Sequence, residues 1–129
     1  MLKVHEVTLP NGELSGVFLR LRDGVLEMVD HEGALGLPAE ALPTVMRRYG
    51  APFDPEATIA VMATLPLADG RELRHVRHLA GYDVIARDYL VFEVAPGVSV
   101  CALATTIAGA LAHLARAAAS GATSARPLP

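Results

Sequence analysis

VAPGVSVCALATTIAGALAHLA, residues 94–115, contains no Asp, Glu, Lys or Arg and is built mainly of Ala, Val, Leu and Ile. A run of this kind has to be withdrawn from water, and a protein core, a subunit interface and a lipid bilayer are the three places that accept it. Composition discriminates among them. A spanning helix leans on Leu, Ile, Val and Phe, whereas this run is dominated by Ala, which gains little in hydrocarbon, and also holds Thr105, Thr106 and His113. Ile107, Leu111 and Leu114 follow the i, i+4, i+7 spacing of one helix face, with Ala104, Ala108 and Ala112 in a small-residue row beside it. The expectation is a long final helix from Val98 to Ala119, packed on a sheet or against a helix of another subunit. A C-terminal membrane anchor is the alternative. Ser120 to Pro129, made of small residues and prolines with Arg126 and Leu128, reads as a flexible tail.

Upstream of this run, Tyr82 to Ala86 and Tyr89 to Ala95 have strand composition, with Arg87-Asp88 as a bend between them. The stretch after Asp69-Gly70 is ambiguous. Leu73, Val76 and Leu79 recur at helical spacing, and Asp69 with Glu72 could form a capping box. The short turn and the strand-like flanks favour a strand instead. The alternation of Ile59, Val61, Ala63 and Leu65, with its β-branched content, predicts a strand over residues 58–65.

The N-terminal third reads as an antiparallel meander punctuated by Pro10-Asn11-Gly12 and Asp23-Gly24, both of which supply hairpin residues. Val17, Leu19 and Leu21 alternate with Phe18, Arg20 and Arg22, so one face of that strand is wet. Gly33, Gly36, Pro38 and Pro43 mark a loop with a short turn at residues 39–42, followed by a helix from Pro43 to Tyr49 with Gly50 as its cap. The assembled expectation is one α+β domain over residues 1–119. It has about six strands in a largely antiparallel sheet, one short helix, and the long C-terminal helix across one face.

Composition excludes some functions. A net charge of −3 argues against a protein devoted to non-specific binding of nucleic acid or anionic membrane, and three Phe, three Tyr and no Trp offer few stacking platforms. Nucleic acid and membrane are therefore not expected partners. Ten of the eleven basic residues are Arg and Asn11 is the sole amide side chain, a bias typical of GC-rich coding sequence. The single cysteine, Cys101, precludes an intramolecular disulfide and suits a reducing cytoplasm. Met1 to Leu9 has charge and alternation where a signal peptide needs an apolar stretch.

No segment reaches the specificity of a catalytic or nucleotide-binding fingerprint, so no cofactor is expected. Gly33-Ala34-Leu35-Gly36 lacks the lysine and hydroxyl of a phosphate loop, and no Gly-x-Ser-x-Gly elbow occurs. The densest cationic cluster is Arg71, Arg74, His75, Arg77 and His78, with Arg87 nearby, and these are the candidate ligand-binding residues for a phosphate or carboxylate. The competing interpretation is a solvated face whose counter-charges are Glu72, Asp83 and Asp88. His75-x-x-His78 puts both imidazoles on one side only in a helix, and further metal ligands would have to come from Asp30, His31 and Glu32; no metal is expected. Cys101, among Val98, Val100 and Leu103, reads as an inert thiol.

Two function classes follow. The first is a small non-catalytic cytoplasmic module, a self-associating homo-oligomer that recognises a protein partner or a small anionic ligand. The second is a small enzyme whose polar groups, His31, His75, His78, Asp83 and Arg87, converge only in the fold. A cleft around those side chains favours the enzyme, and a flat apolar patch favours the module.

Overall fold

The computed structural model describes residues 2–30, 33–78 and 88–124. It is an α+β protein with two antiparallel sheets and two helices among those residues. The first sheet is a meander of four strands, β1 (Leu2–Thr8), β2 (Leu14–Arg22), β3 (Val25–Asp30) and β4 (Gly33–Leu37), in sequential order. Helix α1 (Ala41–Tyr49) leads into a second sheet of β5 (Ala51–Pro52), β6 (Ile59–Pro66), β7 (Glu72–His78), β8 (Asp88–Ala95) and β9 (Val98–Leu103), in the order β5-β9-β8-β7-β6. Helix α2 (Ala104–Ser124) closes the described chain.

Turn chemistry accounts for the meander. Asp23 and Gly24 both have positive φ, 50° and 77°, and sit between the paired Arg22 and Val25. Two consecutive left-handed residues make the hairpin turn whose twist matches that of its strands. Residues 33–37 form a strand rather than the expected loop, because Gly33 pairs with Asp30 and Gly36 with Glu27 as β3 doubles back. Helix α1 begins at Ala41, two residues ahead of the predicted start, and buries Leu42, Val45 and Met46 at i, i+3, i+4 spacing. Gly50 ends it by donating to the Met46 carbonyl at 2.8 Å. A Cβ at position 50 would lie 2.5 Å from that oxygen and 2.9 Å from Val100 Cβ, so only glycine fits against β9.

The apolar stretch divides where it was expected to be continuous. Residues 98–103 are strand β9, hairpin-paired with β8 through Pro96-Gly97, and the helix starts only at Ala104. Gly97 has φ +74°, and the alternating Val98 and Val100 suit a strand; the Pro-Gly turn overrides the impression of one uninterrupted helix. The helix runs on to Ser124, beyond the expected end at Ala119, so residues 120–124 of the anticipated tail are helical and residues 125–129 lie outside the described part. Among the described residues the strands number nine and form two antiparallel sheets, where a single largely antiparallel sheet of about six was expected.

One core joins all layers: Leu2, Leu19 and Leu26 from the first sheet, Leu42 and Met46 from α1, Leu73, Leu90 and Phe92 from the second, and Ile107 and Leu111 from α2. Each of the last two is fully buried, which contributes roughly 1.5–3 kcal/mol per side chain. Of the small-residue row, Ala104 and Ala108 point inward, at most 6% exposed, while Ala112 is only partly buried. Leu114, expected on the buried stripe, is 39% exposed, and Ala115 holds the inward position instead. No helix among the described residues is long and apolar enough to cross a membrane.

Candidate functional site

The cationic cluster lies on β7 and the turn before it, and a strand disperses what a helix would have gathered. Successive side chains of a strand alternate between faces, so Leu73, His75 and Arg77 share one side while Glu72, Arg74 and Val76 share the other. Leu73 on the first side and Val76 on the second are both fully buried, and it is Leu73 that belongs to the shared core, so His75 and Arg77 lie on the core-facing side although Val76 is covered as well.

Arg71 sits just before β7, in the hairpin turn from β6. Its Nε and Nη2 each lie 2.7 Å from Asp69 Oδ2, Nη1 donates to the Glu93 carbonyl at 2.8 Å, and the guanidinium stacks 4.8 Å from the centre of the Phe92 ring. The reason is visible in the ladder. Pairing between β7 and β8 stops at Arg74–Val91, and pairing between β8 and β9 is irregular between Glu93 and Ala95, so carbonyls at the end of β8 need other donors. Arg71 serves Glu93, and Arg47 from α1 donates Nη2 to the Val94 carbonyl at 2.7 Å. Asp69 is held below the usual carboxylate range, first by the hydrogen bond from the Arg71 side chain and then by the Arg71 backbone N–H.

Arg74 points the other way, half exposed, with its Nε 3.5 Å from Glu72 Oε2. His75 and Arg77 converge on Asp88 at the start of β8. Arg77 Nε donates to Asp88 Oδ1 at 3.1 Å, and His75 Nε2 lies 3.5 Å from the same oxygen. The His75 side chain is 12% exposed, and its Nε2 is buried with no hydrogen-bond partner, the separation from Asp88 being an ion-pair distance without hydrogen-bond alignment.

These three residues line a cavity of about 330 Å³ with Lys3 and Val4 from β1 and Met62 and Ala63 from β6. Two sheets therefore meet at this cavity, one contributing a lysine and the other an arginine, an imidazole and a carboxylate. Spacing of two along β7 could have linked His75 to Arg77. Lys3 had no such signal, because only packing of the meander on the second sheet brings it there. Asp88 was visible only as a possible counter-charge.

The remaining candidates fall elsewhere. His31, Asp83 and Arg87 lie outside the described residues, as does the side chain of His78 at the end of β7. Among the described residues no group of three or more His, Cys, Asp or Glu side chains comes together. Cys101 is partly buried on β9, and burial pushes its thiol pKa up, which keeps the less nucleophilic protonated form. Comparison with protein-family models, curated proteins and solved structures finds no match to this chain.

Proposed function

We propose that this chain is a non-catalytic cytoplasmic binding module that holds a small anionic ligand, a carboxylate or a phosphate, in the cavity formed by Lys3, His75, Arg77 and Asp88. The observation that carries this reading is the convergence of Lys3 and Arg77 from different sheets on one cavity, with Asp88 anchoring the arginine through Nε. Anchoring through the inner nitrogen fixes the guanidinium plane. The two terminal nitrogens then take the anion as a bidentate fork, and the Lys3 ammonium adds a second positive charge. A volume of about 330 Å³ suits a compact ligand.

The enzyme alternative finds its best support in the His75–Asp88 pair, since imidazole beside carboxylate is the usual arrangement of a general base. Its Nε2, however, is turned to Asp88 and buried, and the described cavity lining contains no hydroxyl or thiol to activate. Binding without chemistry is the better match.

The test uses inorganic phosphate against chloride at matched ionic strength, read as the thermal midpoint. Phosphate at one hundred times its dissociation constant stabilises by about 2.7 kcal/mol through mass action. Arg77→Gln is expected to lose the phosphate-specific rise, and Arg74→Gln, on the opposite face, to keep it. An equal response from wild type and Arg77→Gln would overturn the reading.

A further inference from the structure

Helices α1 and α2 touch, and the valley between their exposed sides is a cavity of about 660 Å³, larger than the one beside β7. Thr44, Val45, Arg48 and Tyr49 form one wall at i, i+1, i+4, i+5 spacing; Thr105, Gly109 and His113, each with the residue after it, form the other with the same period. Val45 at 3% exposure and the partly buried Ala110 make the floor, while Tyr49 at 46% and Leu114 at 39% leave apolar surface open along it. A Cβ at Gly109 would meet no atom within 4 Å. Packing within the described chain therefore does not call for glycine there, where it weakens a helix interior, and the missing side chain keeps the groove open.

The charge of the groove is one-sided. Arg48 and His113 line it, and among the described residues no carboxylate does. Arg20, Arg71, Arg74 and Arg77 each have a carboxylate oxygen within 3.5 Å, and Arg47 is bonded to a carbonyl. Arg48 has neither partner among the described residues; its guanidinium lies over the ring of Tyr49, 5.6 Å from the centre.

We propose that this groove binds an amphipathic carboxylate of the medium-chain fatty-acid class, with the carboxylate on Arg48 and the alkyl chain along Val45, Tyr49, Ala110 and Leu114. The lining selects both halves of that ligand. An inorganic anion would leave the apolar walls wet, and an uncharged hydrocarbon would leave the guanidinium without an acceptor. The guanidinium takes a carboxylate as a fork, and the imidazole of His113 offers an N–H in either tautomer. From Thr105 to Leu114 the helix rises about 13.5 Å, which makes the groove long enough for an extended chain. It shares no residue with the cavity of Lys3, His75, Arg77 and Asp88, so the inference stands independently of the function proposed above.

The experiment is calorimetric titration of the full chain with octanoate, with 1-octanol and acetate as the comparisons that lack the charge and the chain. Octanoate is expected to bind saturably, one per chain, and both comparisons at least about tenfold more weakly. Arg48→Gln is expected to lower octanoate affinity about tenfold and leave that of octanol unchanged. Gly109→Leu, whose side chain enters the groove, should lose binding with an unchanged circular-dichroism spectrum, and Arg77→Gln should keep it. Absence of saturable octanoate binding by wild type, equal affinity for octanol, wild-type affinity in Arg48→Gln or in folded Gly109→Leu, or loss in Arg77→Gln each overturns the inference. The octanol comparison and Arg48→Gln decide it if Gly109→Leu does not fold. A doubled mass by light scattering with no octanoate binding would give the groove to a second copy, and overturns the inference as well.

Discussion

The two ends of β7 carry the same kind of side chain and do opposite things with it. At the entrance, Arg71 makes contacts within the protein: two approaches to Asp69, one hydrogen bond to the Glu93 carbonyl and a stack on Phe92. At the exit, Arg77 is tied through one nitrogen to Asp88, beside an imidazole whose Nε2 has no hydrogen-bond partner, at the wall of a cavity. The entrance borders a cavity too, of about 450 Å³, but its arginine is spent on an incomplete ladder, whereas at the exit an imidazole nitrogen is left without a hydrogen bond. Polar groups brought together without mutual satisfaction cost stability, and where they border a cavity a ligand is the natural recipient of that capacity. An arginine count therefore says little about function until the acceptors around each one are known.

The largest effect is expected from removing the arginine at the entrance. Arg71→Ala strips the Glu93 carbonyl of its side-chain donor and uncovers the Phe92 ring, and is expected to cost about 1–3 kcal/mol in urea unfolding. Arg74→Ala removes an exposed ion pair and is expected to cost about 0–1 kcal/mol. Equal losses for the two would erase the distinction drawn between a bonded and a solvated arginine.

His75→Leu sharpens the other side of the comparison. It replaces a buried nitrogen without a hydrogen bond by an apolar group in a position flanked by Leu90 and Ala63 in the ladder. The expected outcome is stability unchanged or raised by about 0–1 kcal/mol, together with a weaker midpoint response to phosphate. A substantial loss of stability with phosphate protection intact would mean that the imidazole supports the fold and not the cavity.

The smallest effect is a dependence on pH at the entrance. Because the Asp69 pKa is lowered in the fold, its contribution is fully present above the ordinary aspartate value of 3.8 and is lost as pH falls through the lowered folded value. The stability difference between wild type and Asp69→Asn should thus stay level from pH 7 to pH 5 and shrink below pH 4. A difference that shrinks between pH 7 and pH 5 would assign the effect to another group.

Legibility in the sequence followed the range of the interaction. Local chemistry read well: Asp23-Gly24 marked a hairpin, Gly50 ended a helix, and the short turn at Asp69-Gly70 favoured the strand that β7 is. Misreadings arose where two local signals competed. Residues 98–103 looked helical beside their alanine-rich neighbours, yet Pro96-Gly97 folds them back as β9; Gly33 and Gly36 suggested a loop, yet both lie in the β3–β4 ladder. Each was decided by a partner strand, since backbone hydrogen bonds to a neighbour outweigh the modest intrinsic preference of a single residue.

The candidate site shows the same division more sharply. Residue types alone determined that this chain has one dense cationic stretch, one long uncharged apolar run, and no segment suited to a phosphate loop or a multi-cysteine metal site, whereas which residues of that run are buried was decided by the fold, with Val98 and Leu114 left exposed. Alternation along a strand determined that His75 and Arg77 share a side. Only the tertiary structure decided that the side faces a cavity, that Asp88 anchors Arg77, that Lys3 joins them from the other sheet, and that Arg71 is committed to the end of β8. The reason is that a side chain's charge is encoded where it stands, whereas its partner is set by which strands pack together, and that depends on burial summed over the whole chain.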